Sequence, residues 1–156
     1  MRAKNRIICG VILCAVALAI SVVAPRAASR AGQGTEEPVP AFHTTAPQGQ
    51  VPETLSPSEF TDVVVQNAYI LAARVRKVLY QQPCYCHCDR SQGHTSLLDC
   101  FASKHGAGCG VCMREAIYSY EQSHKGKTAA QIRTGIERGE WRDVDMSKYA
   151  APLPAK

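Results

Sequence analysis

The segment LSPSEFTDVVVQNAYILAARVRKVLY, residues 55–80, decides the fold, because it predicts one long amphipathic helix. Ser56 is a typical helix cap, Pro57 suits the first helical position, and Glu59 completes a capping box. Up to Tyr80, apolar residues recur at helical spacing, namely Phe60, Val64, Ala68, Leu71, Val75 and Val78. We therefore expect a helix from Pro57 to about Tyr80.

The segment PCYCHC, residues 83–88, follows this helix directly. Pro83 ends the helix, since a proline disfavours helical geometry in the residue before it. Three cysteines stand at alternate positions of the resulting loop: Cys84, Cys86 and Cys88. Alternate residues of an extended segment point the same way, so we expect three sulfurs on one edge. His87 would join them if the loop curls.

Three further helices are predicted after this loop. They begin near Thr95 or Ser96, at Cys109 and at Thr128, where Thr-Ala-Ala-Gln forms a capping box. Cys100 lies on the first of them, which runs to about Lys104, and the last ends at Gly139. No strand pattern is convincing. The sequence therefore predicts a small all-α domain of about four helices with a cysteine-rich loop.

The N-terminus predicts export from the cytoplasm. MRAKNR is a basic flank, and the next eighteen residues, 7–24, carry no charge. Cleavage after Ala31 would remove a signal peptide of residues 1–31. Alternatively, the apolar run stays as a membrane anchor, since its length is near the minimum that spans a bilayer core of ~30 Å. In both cases we expect the domain to be extracytoplasmic, whether secreted, periplasmic or anchored facing outward.

The rest of the chain divides by composition. Residues 32–56 are rich in proline, glycine and polar residues, which predicts a disordered tether. Residues 57–150 would form the cysteine-rich domain, and 151–156 a tail. Five basic residues before position 32 account for the whole net charge of +5. The basic flank is thus a topology signal, and nucleic-acid binding is not expected.

Four blocks of the sequence resemble a known family. They are PCYCHC, HTSLLDCF, HGAGCGVCMREA and GKTAAQIRTGIERG. Together they resemble, over roughly residues 56–145, the exported bacterial proteins named for a PCYCGC motif, also called the CYCXC family. The resemblance implies a secreted protein, often a lipoprotein, and some members carry selenocysteine in the motif. It implies no settled biochemical function. In this chain His87 replaces the glycine of the motif, and neither Cys9 nor Cys14 follows the small residue that lipidation favours.

Clustered cysteines favour soft-metal binding as the function. The candidate ligands in the domain are Cys84, Cys86, Cys88, Cys100, Cys109 and Cys112, with His87 in addition. Cys109-x-x-Cys112 has the spacing at which two thiolates converge on one ion. Sulfur-rich sites select Cu(I) or Zn(II) over hard ions. His94 and His105 lie nearby, but of the histidines we favour His87, because it stands between two cysteines.

Two alternatives remain open at this stage. Six cysteines can form three disulfides in fifteen pairings, which would make the domain a stapled structural or interaction module. Each loop cysteine would then need a distant partner, since cysteines two residues apart rarely bond without strain. Alternatively, Cys109 and Cys112 form a redox dithiol or selenol-like site, where the helix dipole favours the thiolate at Cys109. No motif for hydrolysis or nucleotide chemistry stands out, and the partner is unknown.

Overall fold

The computed structural model describes residues 37–153, which are helical without any strand. Six α-helices are present in this range: α1 (Val63–Arg74), α2 (Arg76–Leu79), α3 (Cys88–Gln92), α4 (Leu97–Phe101), α5 (Gly110–His124) and α6 (Ala129–Glu137). Four 3-10 turns accompany them: Pro57–Glu59, Lys104–Gly108, Glu140–Asp143 and Met146–Tyr149. The predicted all-α class is confirmed. The export segment and its cleavage position lie outside the described residues.

The first helix begins later than the sequence predicted. Ser56 caps only a 3-10 turn, and Phe60 is then extended, with φ −117° and ψ 148°. Asp62 is the cap of α1, because its Oδ1 accepts hydrogen bonds from the amides of Val64 at 2.8 Å and Val65 at 3.1 Å. A carboxylate at this place also interacts favourably with the helix dipole. The predicted start at Pro57 is therefore wrong by six residues.

The predicted helix is also interrupted near its end. Val75, with φ −127° and ψ 26°, separates α1 from the single turn of α2. The carbonyl of Val75 nevertheless accepts hydrogen bonds from Val78 and Leu79, at 2.8 and 3.0 Å. The chain therefore changes direction at Val75 and starts a new helical turn immediately. This change leads directly into the cysteine segment.

Helix α5 lies at the centre of the domain. It contacts α1, α2, α4 and α6, and also the 3-10 turns Lys104–Gly108 and Glu140–Asp143. The fully buried apolar side chains of this core include Leu71, Leu79, Leu97, Leu98, Phe101, Ile117, Ile132 and Ile136. Cys84, Cys88, Cys100 and Cys112 belong to the same buried cluster. Part of the core is thus built from thiols.

The predicted capping box at Thr128 is confirmed. The Thr128 hydroxyl accepts from the amide of Gln131 at 3.3 Å, and the Gln131 side chain accepts from the Thr128 amide at 2.9 Å. Gly139 follows α6 with φ 79°, a left-handed conformation that glycine adopts without cost. Both ends of α6 therefore follow from local sequence signals.

Part of the segment expected to be a tether contacts the helices. The ring of His43 stacks on that of Tyr80, with 3.8 Å between the centroids. Val51 is buried, and the amide of Leu55 donates to the carbonyl of Phe101 at 2.9 Å. A few apolar contacts and hydrogen bonds hold this segment against the helices. Such contacts depend on single residues, which the average composition of the segment does not reveal. Within residues 37–153 no helix has the length and apolar character needed to cross a bilayer.

Candidate metal centre

The cysteine segment is not extended but turns back on itself. The amide of His87 donates to the carbonyl of Cys84 at 3.0 Å, and His87 has φ 55° and ψ 37°. His87 is the only non-glycine residue between positions 37 and 153 with a positive φ. Helix α3 then starts at Cys88. The expected row of three sulfurs on one edge is therefore wrong, because this reversal separates Cys86 from Cys88.

Four donor atoms form what we call the outer group: those of Cys86, His105, Cys109 and Cys112. They all lie within 4.8 Å of one another. The Cys86 sulfur is 3.6 Å from His105 Nε2 and 3.6 Å from the Cys112 sulfur. Cys112 is buried, whereas the other three residues are partly exposed. The group thus combines three thiols and an imidazole at the edge of the core.

Three further sulfurs form what we call the inner group: those of Cys84, Cys88 and Cys100. They also lie within 4.8 Å of one another, and all three residues are buried. The sulfurs of Cys88 and Cys100 are 3.4 Å apart. His94 borders this group, with its Nδ1 3.3 Å from the Cys100 sulfur.

Cys84 connects the two groups. Its sulfur lies 3.4 Å from that of Cys86 and 3.4 Å from that of Cys112, both members of the outer group. The two groups are therefore one continuous sulfur cluster, with the Cys84 thiol at the junction. All six described cysteines are free.

Buried polar contacts hold the cysteine segment against the helices. Glu115 of α5 is fully buried, and its Oε1 accepts a hydrogen bond from the amide of Tyr85 at 2.9 Å. Its other oxygen has no hydrogen-bond partner among residues 37–153. Burial raises the pKa of Glu115 to about 8, so the carboxyl is largely protonated at neutral pH. The backbone carbonyl of the buried Gln82 accepts from the Leu97 amide at 2.9 Å, which joins the loop to α4.

The thiols of the cluster have unequal acidity. Hydrogen bonds from neighbouring thiols, Cys100 and Cys112 foremost, hold the pKa of Cys86 far below its ordinary value. The pKa of Cys100 is raised by hydrogen bonds with its neighbours, Cys112 first, and by burial. Hydrogen bonds with Cys100 and Cys84 lower the pKa of Cys112, but that with Cys86 and burial raise it more, to about 11. Among these three thiols, Cys86 is thus the one most readily deprotonated.

The structure places the predicted ligands unequally. All six cysteines lie in the two groups, but His87 lies in neither. Its Nε2 instead lies 3.3 Å from a carboxylate oxygen of Glu37. The histidine that lies among the sulfurs is His105, whereas the sequence analysis favoured His87 as the histidine ligand. The pattern HGAGC put His105 close to Cys109, but it could not show that the ring approaches Cys86.

Comparison with known families identifies the chain. The family described as "Protein of unknown function with PCYCGC motif" matches residues 40–154, and the protein belongs to this family. A search of the curated proteins finds no match, and a search of the solved structures finds none either. The glycine of the family motif corresponds to His87, the residue in the left-handed conformation. Glycine adopts this conformation without steric cost, which explains its place in the motif.

Proposed function

We propose that this domain binds a soft metal ion, Cu(I) or Zn(II), through its clustered thiolates, with the outer group as the primary site. The observation that carries the proposal is the convergence of four donor atoms within 4.8 Å, three sulfurs and one imidazole nitrogen. Three cysteines and one histidine are a common ligand set for zinc, and sulfur-rich sets also select Cu(I).

The distances in the outer group fit such an ion. Metal–sulfur bonds of ~2.3 Å and metal–nitrogen bonds of ~2.0 Å place a sulfur and a nitrogen on one tetrahedral ion about 3.5 Å apart, and two sulfurs about 3.8 Å apart. The Cys86 sulfur lies 3.6 Å from both the His105 nitrogen and the Cys112 sulfur. Small side-chain movements would therefore suffice to enclose an ion.

The location of the ligands on the fold also supports the proposal. Cys109 is the N-cap of α5 and Cys112 lies in its first turn, so both face the positive end of the helix dipole. The lowered pKa of Cys86 makes this thiol easier to deprotonate on metal binding, whereas the raised pKa of Cys112 makes its proton harder to remove. Affinity should therefore weaken as pH falls, since protons compete with the metal for sulfur.

Export of the protein from the cytoplasm is part of this proposal. The basic flank and the apolar run at the N-terminus support it. Outside the cytoplasm, adjacent thiols are exposed to oxidation, and a bound soft ion would protect them.

Thiol–disulfide exchange is the second candidate function, and the lowered pKa of Cys86 favours it. In this reaction the Cys86 thiolate would attack a disulfide of a partner and form a mixed disulfide, releasing one partner thiolate. A neighbouring thiol, that of Cys112 at 3.6 Å, would then displace the second partner thiolate. The partner disulfide would be reduced to a dithiol as the protein forms its own disulfide.

A competition titration separates these functions. The reduced full chain is titrated anaerobically against a Cu(I) chelator, and in a second series against a Zn(II) chelator. We expect tight binding of at least one of these ions, strong weakening in Cys86→Ser/Cys112→Ser, and no change in Cys9→Ser/Cys14→Ser. The last variant is the control, because it removes two thiols outside the domain.

Two results would count against metal binding. Equal and weak binding by the wild type and the Cys86→Ser/Cys112→Ser variant would reject the proposal. If the wild type then reduces a disulfide substrate and the Cys86→Ser variant does not, thiol–disulfide exchange is favoured. A native protein without free thiols, which binds metal only after reduction, would instead favour the disulfide-stapled alternative.

A further inference from the structure

The inner group contains more sulfur than one bound ion can use. A tetrahedral ion takes four ligands, and the outer group provides four. Three buried thiols then remain, those of Cys84, Cys88 and Cys100. They come from different elements: the loop after α2, the start of α3 and the end of α4. Their convergence is therefore a product of the tertiary fold and not of short sequence spacing.

We propose that the centre holds two soft ions, the second in the inner group, and that the thiolate of Cys84 bridges the two. This inference rests on the proposed function of the outer group as a metal site. The second ion would be bound by Cys84, Cys88 and Cys100.

The position of Cys84 carries the bridging part of the proposal. Its sulfur belongs to the inner group, yet it lies 3.4 Å from the sulfurs of Cys86 and Cys112 in the outer group. These distances are somewhat shorter than the separation of about 3.8 Å expected between two sulfurs on one tetrahedral ion, so small side-chain movements would allow both sulfurs to bind the same ion. The Cys84 sulfur can therefore bind an ion in either group, and a thiolate has lone pairs for two metals. As the bridge it would replace one of the four outer donors, so that the outer ion keeps four ligands.

The geometry of the inner group favours Cu(I) for the second ion. Three sulfurs can surround an ion of low coordination number, and thiolates are the ligands that Cu(I) prefers. Zinc requires a fourth ligand, and His94 is the nearest one, with its Nδ1 3.3 Å from the Cys100 sulfur. Zinc binding would thus require the His94 ring to turn toward the group, whereas Cu(I) binding would not.

Burial limits the states that the inner group can adopt. Three thiolates without a cation would each cost several kcal/mol in the core. The group is therefore either metal-bound thiolate, three neutral thiols, or one thiol beside a Cys88–Cys100 disulfide. That disulfide would form by exchange with a disulfide of another molecule, which takes up the two electrons and two protons and becomes two thiols. In the second and third states the centre binds only the ion of the outer group.

Metal stoichiometry distinguishes these states. The reduced full chain is loaded anaerobically with Cu(I), freed of excess ion, and analysed by native mass spectrometry. We expect two ions per chain in the wild type and in the control Cys9→Ser/Cys14→Ser. The variant Cys88→Ser/Cys100→Ser should retain one ion, because the outer group is intact. A far-UV circular dichroism spectrum verifies that the metal-free variant remains helical.

The possible failures are distinguishable. One ion in the wild type, unchanged in Cys88→Ser/Cys100→Ser, overturns the two-ion centre and leaves the proposed function in place. No ion in the wild type overturns both. Since the wild type alone decides the stoichiometry, the test does not depend on the folding of the variant.

The bridge has a separate readout. X-ray absorption of the Cu(I)-loaded wild type should contain a short metal–metal scattering path, which Cys84→Ser should lose. Two ions without this path would overturn the shared thiolate.

Discussion

The outer and inner groups both take cysteines from the same short segment, but they differ in their access to solvent. Cys86, His105 and Cys109 of the outer group are partly exposed, whereas every member of the inner group is buried. The difference arises because the outer donors lie on a loop, a 3-10 turn and a helix cap, while Cys88 and Cys100 lie on helices packed into the core. We infer that the outer group controls the exchange of bound metal ions with solvent. The inner group, as part of the core, also contributes to the stability of the fold.

Alkylation of the reduced, metal-free protein should show the largest difference between the groups. Cys86 and Cys109 should react first, because they are partly exposed and the pKa of Cys86 is lowered. The inner thiols should react on the order of 100-fold more slowly, since they wait for local opening that costs about 3 kcal/mol. Quenched alkylation with peptide mapping by mass spectrometry measures these rates. Equal rates for all six cysteines would remove the distinction between the groups.

A cavity in the core next to the inner group should reduce the difference in alkylation rate between the two groups. Leu97 is fully buried one helical turn before Cys100, so Leu97→Ala should cost about 2–5 kcal/mol of unfolding free energy. It should also raise the alkylation rate of Cys100 relative to that of Cys86. The control is Leu71→Ala on α1, a similarly buried residue, which should cost a similar free energy without changing this ratio. Urea denaturation gives the stability, and an unchanged ratio in Leu97→Ala would contradict the prediction.

The free energy of unfolding should depend on pH through Glu115. This residue binds the amide of Tyr85, in the segment whose cysteines belong to both groups. Burial raises its pKa from 4.5 to about 8, so the folded protein binds this proton more tightly than the unfolded chain. The stabilising contribution is present in full below pH 4.5 and is lost as pH rises toward 8. The slope should reach about 1.4 kcal/mol per pH unit in the metal-free reduced protein.

The Glu115→Gln variant provides the comparison for this slope. Glutamine keeps an oxygen that can accept from the Tyr85 amide, but it does not titrate. We therefore expect a flatter stability profile between pH 4.5 and 8 than in the wild type, measured by urea denaturation at several pH values. Parallel profiles for the two proteins would show that Glu115 is not the group responsible.

The smallest effect is expected at His87, the residue that directs Cys86 and Cys88 into different groups. His87→Gly should raise the free energy of unfolding by up to about 1 kcal/mol, because glycine accepts φ 55° without strain. The loss of the contact between the His87 ring and the exposed Glu37 carboxylate offsets part of this gain. Gly93→Ala, at φ 67°, is the matched control and should be destabilising by a similar amount. Destabilisation by His87→Gly would mean that the histidine side chain stabilises the turn.

Local signals in the sequence determined much of the helical framework. The capping box at Thr128 predicted the start of α6, because its hydrogen bonds join residues three positions apart. Likewise, Cys109 and Cys112 lie at the start of α5 and share one group, as their spacing predicts. Before the first helix the sequence offers two possible caps, Ser56 and Asp62. The sequence alone did not show that α1 begins after Asp62.

Only the tertiary structure decided how the six cysteines are divided. The sequence identified all of them as candidate ligands and the family to which their pattern belongs, since both follow from residue identity and spacing. The division depends on the left-handed turn at His87 and on the approach of α4 and α5 to the loop. These contacts join residues far apart in the chain, as when Cys84 meets Cys112 or His105 meets Cys86. Side-chain position in such contacts depends on packing of the whole core, which no local pattern encodes.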